Sequence, residues 1–503
     1  MNEQASRPLD CFGESRQPCE RRSCITRRRP NGVSMSRGTA SLLATAALSL
    51  STPVTTAFAE TAKAPLTLHA GAPSRVVDLS ASADLAGSSP SLASFVPPGD
   101  FDPSFGAGGI ALYELSGATL GTDSVLVQPD DRIVVTGSFR TNTGCGVYAA
   151  RYNADGTVDT TFAGGMGLVT TTLASGLCNA SSARGALQPD GKIVIASTRD
   201  QGAATDFALV RYTASGAPDT TFGSGGLVIY NYVMFDHAID VAIQPDGRIL
   251  LAGSSSNNTN LDFVVARFTS TGALDSTFGV GGRATYDFPS GRNDSMTDMA
   301  LQPDGKVLAV GLTYAIGASP DFGLVRFTAS GALDSSFGGG GALKIDVFGS
   351  TDQAMAVAVQ TDGKILVGGN AYYPSGSQYY MALLRLNANG TAFDSTFNGN
   401  GQAYLSFGPT NNIISRLAVQ ADGKIVAGGH TSLTSRGNNY DAALLRFLPT
   451  GPLDSSFAGG GGFMYEGFVD SHDLTGGLGF QSDGKLIAGG LSDKYIRLSR
   501  HGN

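Results

Sequence analysis

The 503 residues contain no tryptophan, only five histidines and five cysteines, and no apolar run of the roughly 20 residues that a membrane-spanning helix requires. No segment of the repetitive body shows a 3.6-residue hydrophobic period, so helices are not expected there. A basic stripe is also missing. Past residue 59 the chain holds 26 basic and 38 acidic residues, a net charge of −12, which argues against nucleic acid or anionic lipid as a partner. With 68 glycines and 42% hydrophobic residues, the composition points to a β-rich protein with frequent turns.

The abundant signal is repetition. Asp-x-Ser/Thr-Phe begins at Asp102, Asp159, Asp219, Asp275, Asp334, Asp394 and Asp454. Gln-x-Asp-Gly-Lys/Arg begins at Gln128, Gln188, Gln244, Gln302, Gln360, Gln420 and Gln481, with Asp131 in the glycine position of the first copy. An Arg before Tyr, Phe, Leu or His keeps the same order, at Arg151, Arg211, Arg267, Arg326, Arg385, Arg446 and Arg500. Within residues 222–275, four short runs read as strands: 227–230, 240–243, 249–252 and 263–268. Seven such units predict an all-β fold, a seven-bladed β-propeller of four-stranded antiparallel blades over residues 101–503. The orphan first copy at Asp102 suggests ring closure, with the turn at 102–105 meeting the strand near Arg500 and residues 105–115 pairing in the first blade. Asp131 is expected at φ > 0, where its replacement by Gly should be neutral or slightly stabilising.

Residues 1–59 read as an N-terminal extension and signal peptide. Arg37 precedes the apolar stretch 40–50, and Ala57-Phe58-Ala59 is a cleavage site. Met1 or Met35 could be the true start. Residues 60–100, rich in Ala, Ser and Pro, read as a flexible linker. The expected location is secreted or cell-surface, with no membrane span and a monomeric state. Cys145 and Cys178 are the cysteines left after signal removal and are expected to form a disulfide between loops of neighbouring blades.

Leu-Asp-Ser-Ser-Phe-Gly, Gln-Pro-Asp-Gly-Lys and Asp-Phe-x-Leu-x-Arg-Phe at a period near 60 resemble the delta-60 repeat family of bacterial, mostly exported or surface proteins. The resemblance covers residues 101–503. It implies a propeller-like fold and export, and brings no catalytic residues.

Sites are read from departures from repetition. Asp236, Asp294, Asp352, Asn412 and Asp473 stand eight residues before the repeat Gln, in loops opposite the Pro-Asp-Gly turns. They are candidates for binding Ca²⁺ or a cationic ligand, or else they cap strand starts. His237, His430 and His472 fall on the same face. The Arg and Asp series, eight or nine residues apart, read as structural pairs bracketing the connection between blades. Tyr148, Tyr372, Tyr373, Tyr379, Tyr380 and Tyr440 are aromatics suited to a glycan or protein. No EF-hand, phosphate-cradling loop or G-x-S-x-G elbow is present, so no metal, cofactor or catalytic residue is assigned. The expected function is an exported, non-catalytic binding or surface scaffold for a protein or glycan. The alternative is a carbohydrate-active lyase or hydrolase, which should break the repeat symmetry with charged residues in one cleft; residues 470–473 with His430 are the candidate break.

Overall fold

In the computed structural model the described residues are 65–70, 76–78 and 101–502, apart from 177, 179–181, 257–258, 290–291, 315–318, 408–410, 433–439, 467–472 and 493–494. The signal segment 35–59 and most of the linker lie outside them. The described residues form seven antiparallel sheets of four principal strands and contain no α-helix. Their inner strands are Ser124–Val127, Ala183–Leu187, Asp236–Ile243, Ser295–Leu301, Asp352–Val359, Asn412–Val419 and Asp473–Phe480. Each packs on the next, and the seventh returns to the first. This is a closed seven-bladed β-propeller, with blades 1 to 7 in that order.

The two middle strands of each blade are apolar on both faces because each sheet is sandwiched between two others. In blade 4, Val307–Tyr314 and Pro320–Phe327 are buried almost throughout. The blade is offset by one strand from the sequence repeat. Leu227–Tyr230, read as the first strand of the third unit, is the outer strand of blade 2.

The three sequence markers meet inside each blade. The Arg of the third strand sets its Nε in an ion pair with the Asp of Asp-x-Ser/Thr-Phe, from 2.7 Å at Arg151–Asp159 to 3.0 Å at Arg500–Asp102. The other Asp oxygen accepts the backbone N–H and hydroxyl two residues on, as Thr161 gives to Asp159. The hairpin cation joins the same carboxylate, Arg248 at 2.9 Å from Asp275 and Lys364 at 3.3 Å from Asp394. Each guanidinium also lies 4.3–4.9 Å from the Phe ring of its motif. Although burial raises an acid, the Ser336 hydroxyl and backbone and Arg326 hold Asp334 down to about 2. The Arg and Asp series therefore lie within a blade, not astride the connection between blades. Arg Nη1 makes the link onward, from Arg151 to the Ala214 carbonyl at 2.6 Å and from Arg267 to Ala329 at 2.9 Å.

Ring closure uses both termini of the propeller. Phe101 bridges His501, the Asp102 N–H donates to the Arg500 carbonyl at 2.9 Å, and Arg500 Nη1 reaches the Ala154 carbonyl of blade 1 at 2.7 Å. Ile110–Glu114 pairs with Tyr495–His501 as the outer strand of blade 7. The expectation that residues 105–115 pair in blade 1 is corrected: they replace the outer strand that a following repeat would supply.

Two further expectations are revised. Leu66–His69 and Val76–Asp78 add parallel fifth strands to blades 4 and 5, so the linker is not wholly free of structure. Leu66 and Leu68 pack against the apolar core there, and Ala70 is buried. Cys145 and Cys178 are disulfide-bonded with Cα atoms 6.1 Å apart. Cys145 lies in the third strand of blade 1 and Cys178 just past the outer strand of that blade, so the bond closes one blade's edge instead of joining neighbours.

Asp131 has φ of +63°, as the bulged hairpin requires. Its carboxylate also accepts the Ser482 N–H at 2.7 Å and hydroxyl at 2.5 Å across the seam between blades 1 and 7. Asp131→Gly is therefore expected to be destabilising rather than neutral. A double-mutant cycle with Ser482→Ala should show coupling of about 0.5–1.5 kcal/mol. Additive effects in urea unfolding would show that the seam contact contributes nothing.

Candidate functional site

The ring of four acids and Asn412 expected to face solvent is sealed. Asp236, Asp294, Asp352, Asn412 and Asp473 are all 0% exposed at the starts of inner strands. Four of them hold the connection arriving from the preceding blade: Asp236 accepts the Tyr232 N–H at 2.8 Å, Asp294 that of Phe288 at 2.9 Å, Asp352 that of Val347 at 2.6 Å and Asn412 that of Phe407 at 3.2 Å. Their positions follow from the need to satisfy backbone donors where a loop enters a buried strand.

Blade 5 departs from this scheme. The second oxygen of Asp236 accepts the Ser255 hydroxyl, and Asn412 accepts that of Thr431, whereas the matching position in blade 5 is Ala371. Asp352 Oδ1 is left without a hydrogen-bond partner among the described residues. Burial, then Asp321 and Asp346, pushes Asp352 up to about 8. The folded value lies above the ordinary carboxylate value, so the folded chain keeps a proton that the unfolded chain releases. Stability from this group falls as pH rises from about 4 to 8 and is level above that. Asp352→Asn should flatten the dependence and be the more stable form at pH 8, by a few kcal/mol at most. Melting curves at pH 5 and pH 8 with an unchanged slope would refute this.

Two carboxylate groups could hold a cation: Asp262 with Asp287 and Asp294, and Asp321 with Asp346 and Asp352, their ligand atoms within 4.8 Å of one another. In the second, Lys344 Nζ already lies 2.5 Å from Asp321. The two described histidines of this set stand in different blades. His237 is half-buried in blade 3, and His430 in blade 6 stacks edge-on at 4.9 Å against Tyr440. Burial lowers His430 to about 4, leaving it neutral at pH 7. His472, with residues 470 and 471, lies outside the described residues.

The aromatics divide. Tyr148 is fully buried, its hydroxyl 3.1 Å from Thr122. Tyr372 and Tyr379 are half-buried, 5.0 Å apart across the hairpin of blade 5 that ends the long strands Ile365–Tyr373 and Gln378–Leu386. On the opposite face of the same strands, Phe348 contacts Tyr373 at 5.2 Å and Tyr404 at 4.8 Å.

The strongest break in symmetry lies in the central channel, and sequence reading missed it. The position four before the repeat Gln is Ser124, Arg184, Asp240, Asp298, Ala356, Arg416 and Gly477 in blades 1 to 7. A bulge just before this position in blades 3 to 7 re-aims the strand. Arg184 of blade 2 reaches across to Asp298 of blade 4 and lies 3.7 Å from Asp240. Burial, opposed by Arg184 and reinforced by Asp298, raises Asp240 to about 6. Aligning the repeats on Gln and scanning each column for unlike charges would have found this cluster; searching for what recurs passes over it.

Fold and site together define a seven-bladed propeller whose blades share one polar lock and whose channel does not repeat. Six segments, 128–162, 188–222, 244–278, 302–337, 360–397 and 420–457, match the model of the family described as a domain of unknown function (DUF5122) beta-propeller. No curated protein matches the chain. Among solved structures, a catalytically inactive virginiamycin B lyase from Staphylococcus aureus is 11% identical with TM-score 0.41, covering 78% of this chain and 99% of the lyase. The polysaccharide lyase Uly1 is 12% identical with TM-score 0.46, covering 79% and 93%. Sqt1 from Chaetomium thermophilum is 13% identical with TM-score 0.39, covering 78% and 98%. These likenesses are of fold alone. They include enzymes, so the expectation that this chain is not an enzyme is withdrawn: the fold carries catalytic and binding proteins alike.

Proposed function

We propose that the chain is an exported propeller that recognises a protein or glycan partner through the face bearing the loops between blades. The observation that carries this is the Tyr372–Tyr379 pair, half-buried and outside the repeated framework, at the tip of the longest hairpin of blade 5. Rigid aromatics with an apolar body and a polar tip suit both kinds of partner. Met234 and Phe235, exposed by 58% and 41% on the connection between blades 2 and 3, support a contact surface. Export is supported by the signal-like segment 35–59 and by a disulfide, which persists in oxidising compartments. A glycan array and a pull-down with residues 60–503 should return a ligand whose binding falls at least tenfold in Tyr372→Ala/Tyr379→Ala at unchanged melting temperature. Undiminished binding by the folded double variant would move the site elsewhere.

A further inference from the structure

The central channel carries an inference independent of the loop face. It holds an open cavity of about 200 Å³ lined by Asp123, Arg184, Asp240, Asp298 and Arg416 together with apolar side chains such as Leu126 and Met299. That space equals roughly six or seven waters at liquid density.

Its two cations are incompletely used. Arg416 donates to three carbonyls, Gly476 at 2.6 Å, Ser415 at 2.7 Å and Asp123 at 3.3 Å. A guanidinium has five N–H groups, and neutral carbonyls leave its charge without a paired carboxylate. Burial, and then the nearby Arg184, lower Arg416 to about 10 against the pull of Asp298, Asp123 and Asp240. Arg184 is 8% exposed, pairs with Asp298 through Nη1, and its Nε has no hydrogen-bond partner. Both arginines line the cavity with donors to spare.

The acids limit what can fill it. Asp240 Oδ1 accepts the Val241 N–H at 2.9 Å, while Oδ2 has Arg184 Nη1 at 3.7 Å. Asp123 accepts the Ala183 N–H through Oδ2 at 3.0 Å. Carboxylates beside the arginines repel a multiply charged anion and offer acceptors to hydroxyl groups.

We infer that the channel is a binding site for a small hydroxy-carboxylate, in chemical class a sugar acid. Its carboxylate takes the spare N–H groups of Arg184 and Arg416, and its hydroxyls donate to Asp240 and Asp123. The requirement for both groups separates this ligand from simple anions and from neutral sugars.

Calorimetric titration of residues 60–503 with glucuronate, glucose and acetate tests the assignment. Glucuronate is expected to bind saturably, at least tenfold more tightly than either control. Arg416→Gln should lose at least tenfold. Because Arg416 also joins blades 6, 7 and 1, a folding check by circular dichroism accompanies it, and Asp240→Asn provides a second, shape-preserving variant. Asp240→Asn should narrow the gap between glucuronate and acetate, as one hydroxyl acceptor loses its charge. The assignment is overturned by absent glucuronate binding to the folded wild type, by acetate binding as tightly as glucuronate, or by an unchanged affinity and gap in the folded variants.

Discussion

Deleting residues 60–114 is expected to abolish cooperative unfolding or to lower Tm by well over 10 °C, whereas deleting 60–95 should lower it by only a few degrees. The longer deletion removes the outer strand of blade 7, Ile110–Glu114, and exposes the edge of Tyr495–His501. It also removes Phe105, 0% exposed, whose ring lies 4.9 Å from the Arg500 guanidinium, and Asp102, which pairs with Arg500 at 3.0 Å and Lys485 at 2.9 Å. Losing one fully buried Phe alone costs about 3–5 kcal/mol. A buried Arg deprived of its carboxylate costs about as much again. The shorter deletion removes Leu66–His69 and Val76–Asp78, which add edges to blades already complete. Thermal unfolding followed by circular dichroism compares the two, and equal midpoints would refute closure through residues 101–114.

Arg184→Ala is expected to destabilise the chain by about 3–5 kcal/mol at pH 8, because it leaves the largely buried Asp298 and Asp240 without their cation. Arg184 is among the groups that lower Asp240, so its removal raises that carboxyl above its present value of about 6. The variant's Asp240 then binds a proton more readily, and the loss should be smaller at pH 5 than at pH 8. Urea unfolding at the two pH values measures this. A loss under 1 kcal/mol, or one of equal size at both, would mean that the channel charges are screened by solvent.

The framework was legible because its chemistry is local and repeated. A three-residue bulged hairpin needs Gly, or the tolerant Asp131, at one backbone position, and that demand shows in seven copies. The Arg, Asp and Phe markers were equally visible, since every blade needs the same lock. Their pairing within a blade was not, because the repeat as written starts at the outer strand of the preceding sheet. The acids at 236, 294, 352 and 473, with Asn412, were found by spacing alone, and spacing does not say whether a side chain points out to solvent or back under its own loop.

The sequence by itself determined the blade count, the all-β class, the turn at Asp131 and the need for a terminal segment to finish the last blade, since each follows from short-range periodicity and turn chemistry. Only the tertiary structure decided which strand completes blade 7, that Cys145 and Cys178 share one blade, and that Arg184, Asp240, Asp298 and Arg416 converge. Those residues lie up to 232 positions apart. Ring closure brings them together, and the bulges beside Asp240, Asp298 and Arg416 help aim those side chains, a condition that no local pattern encodes.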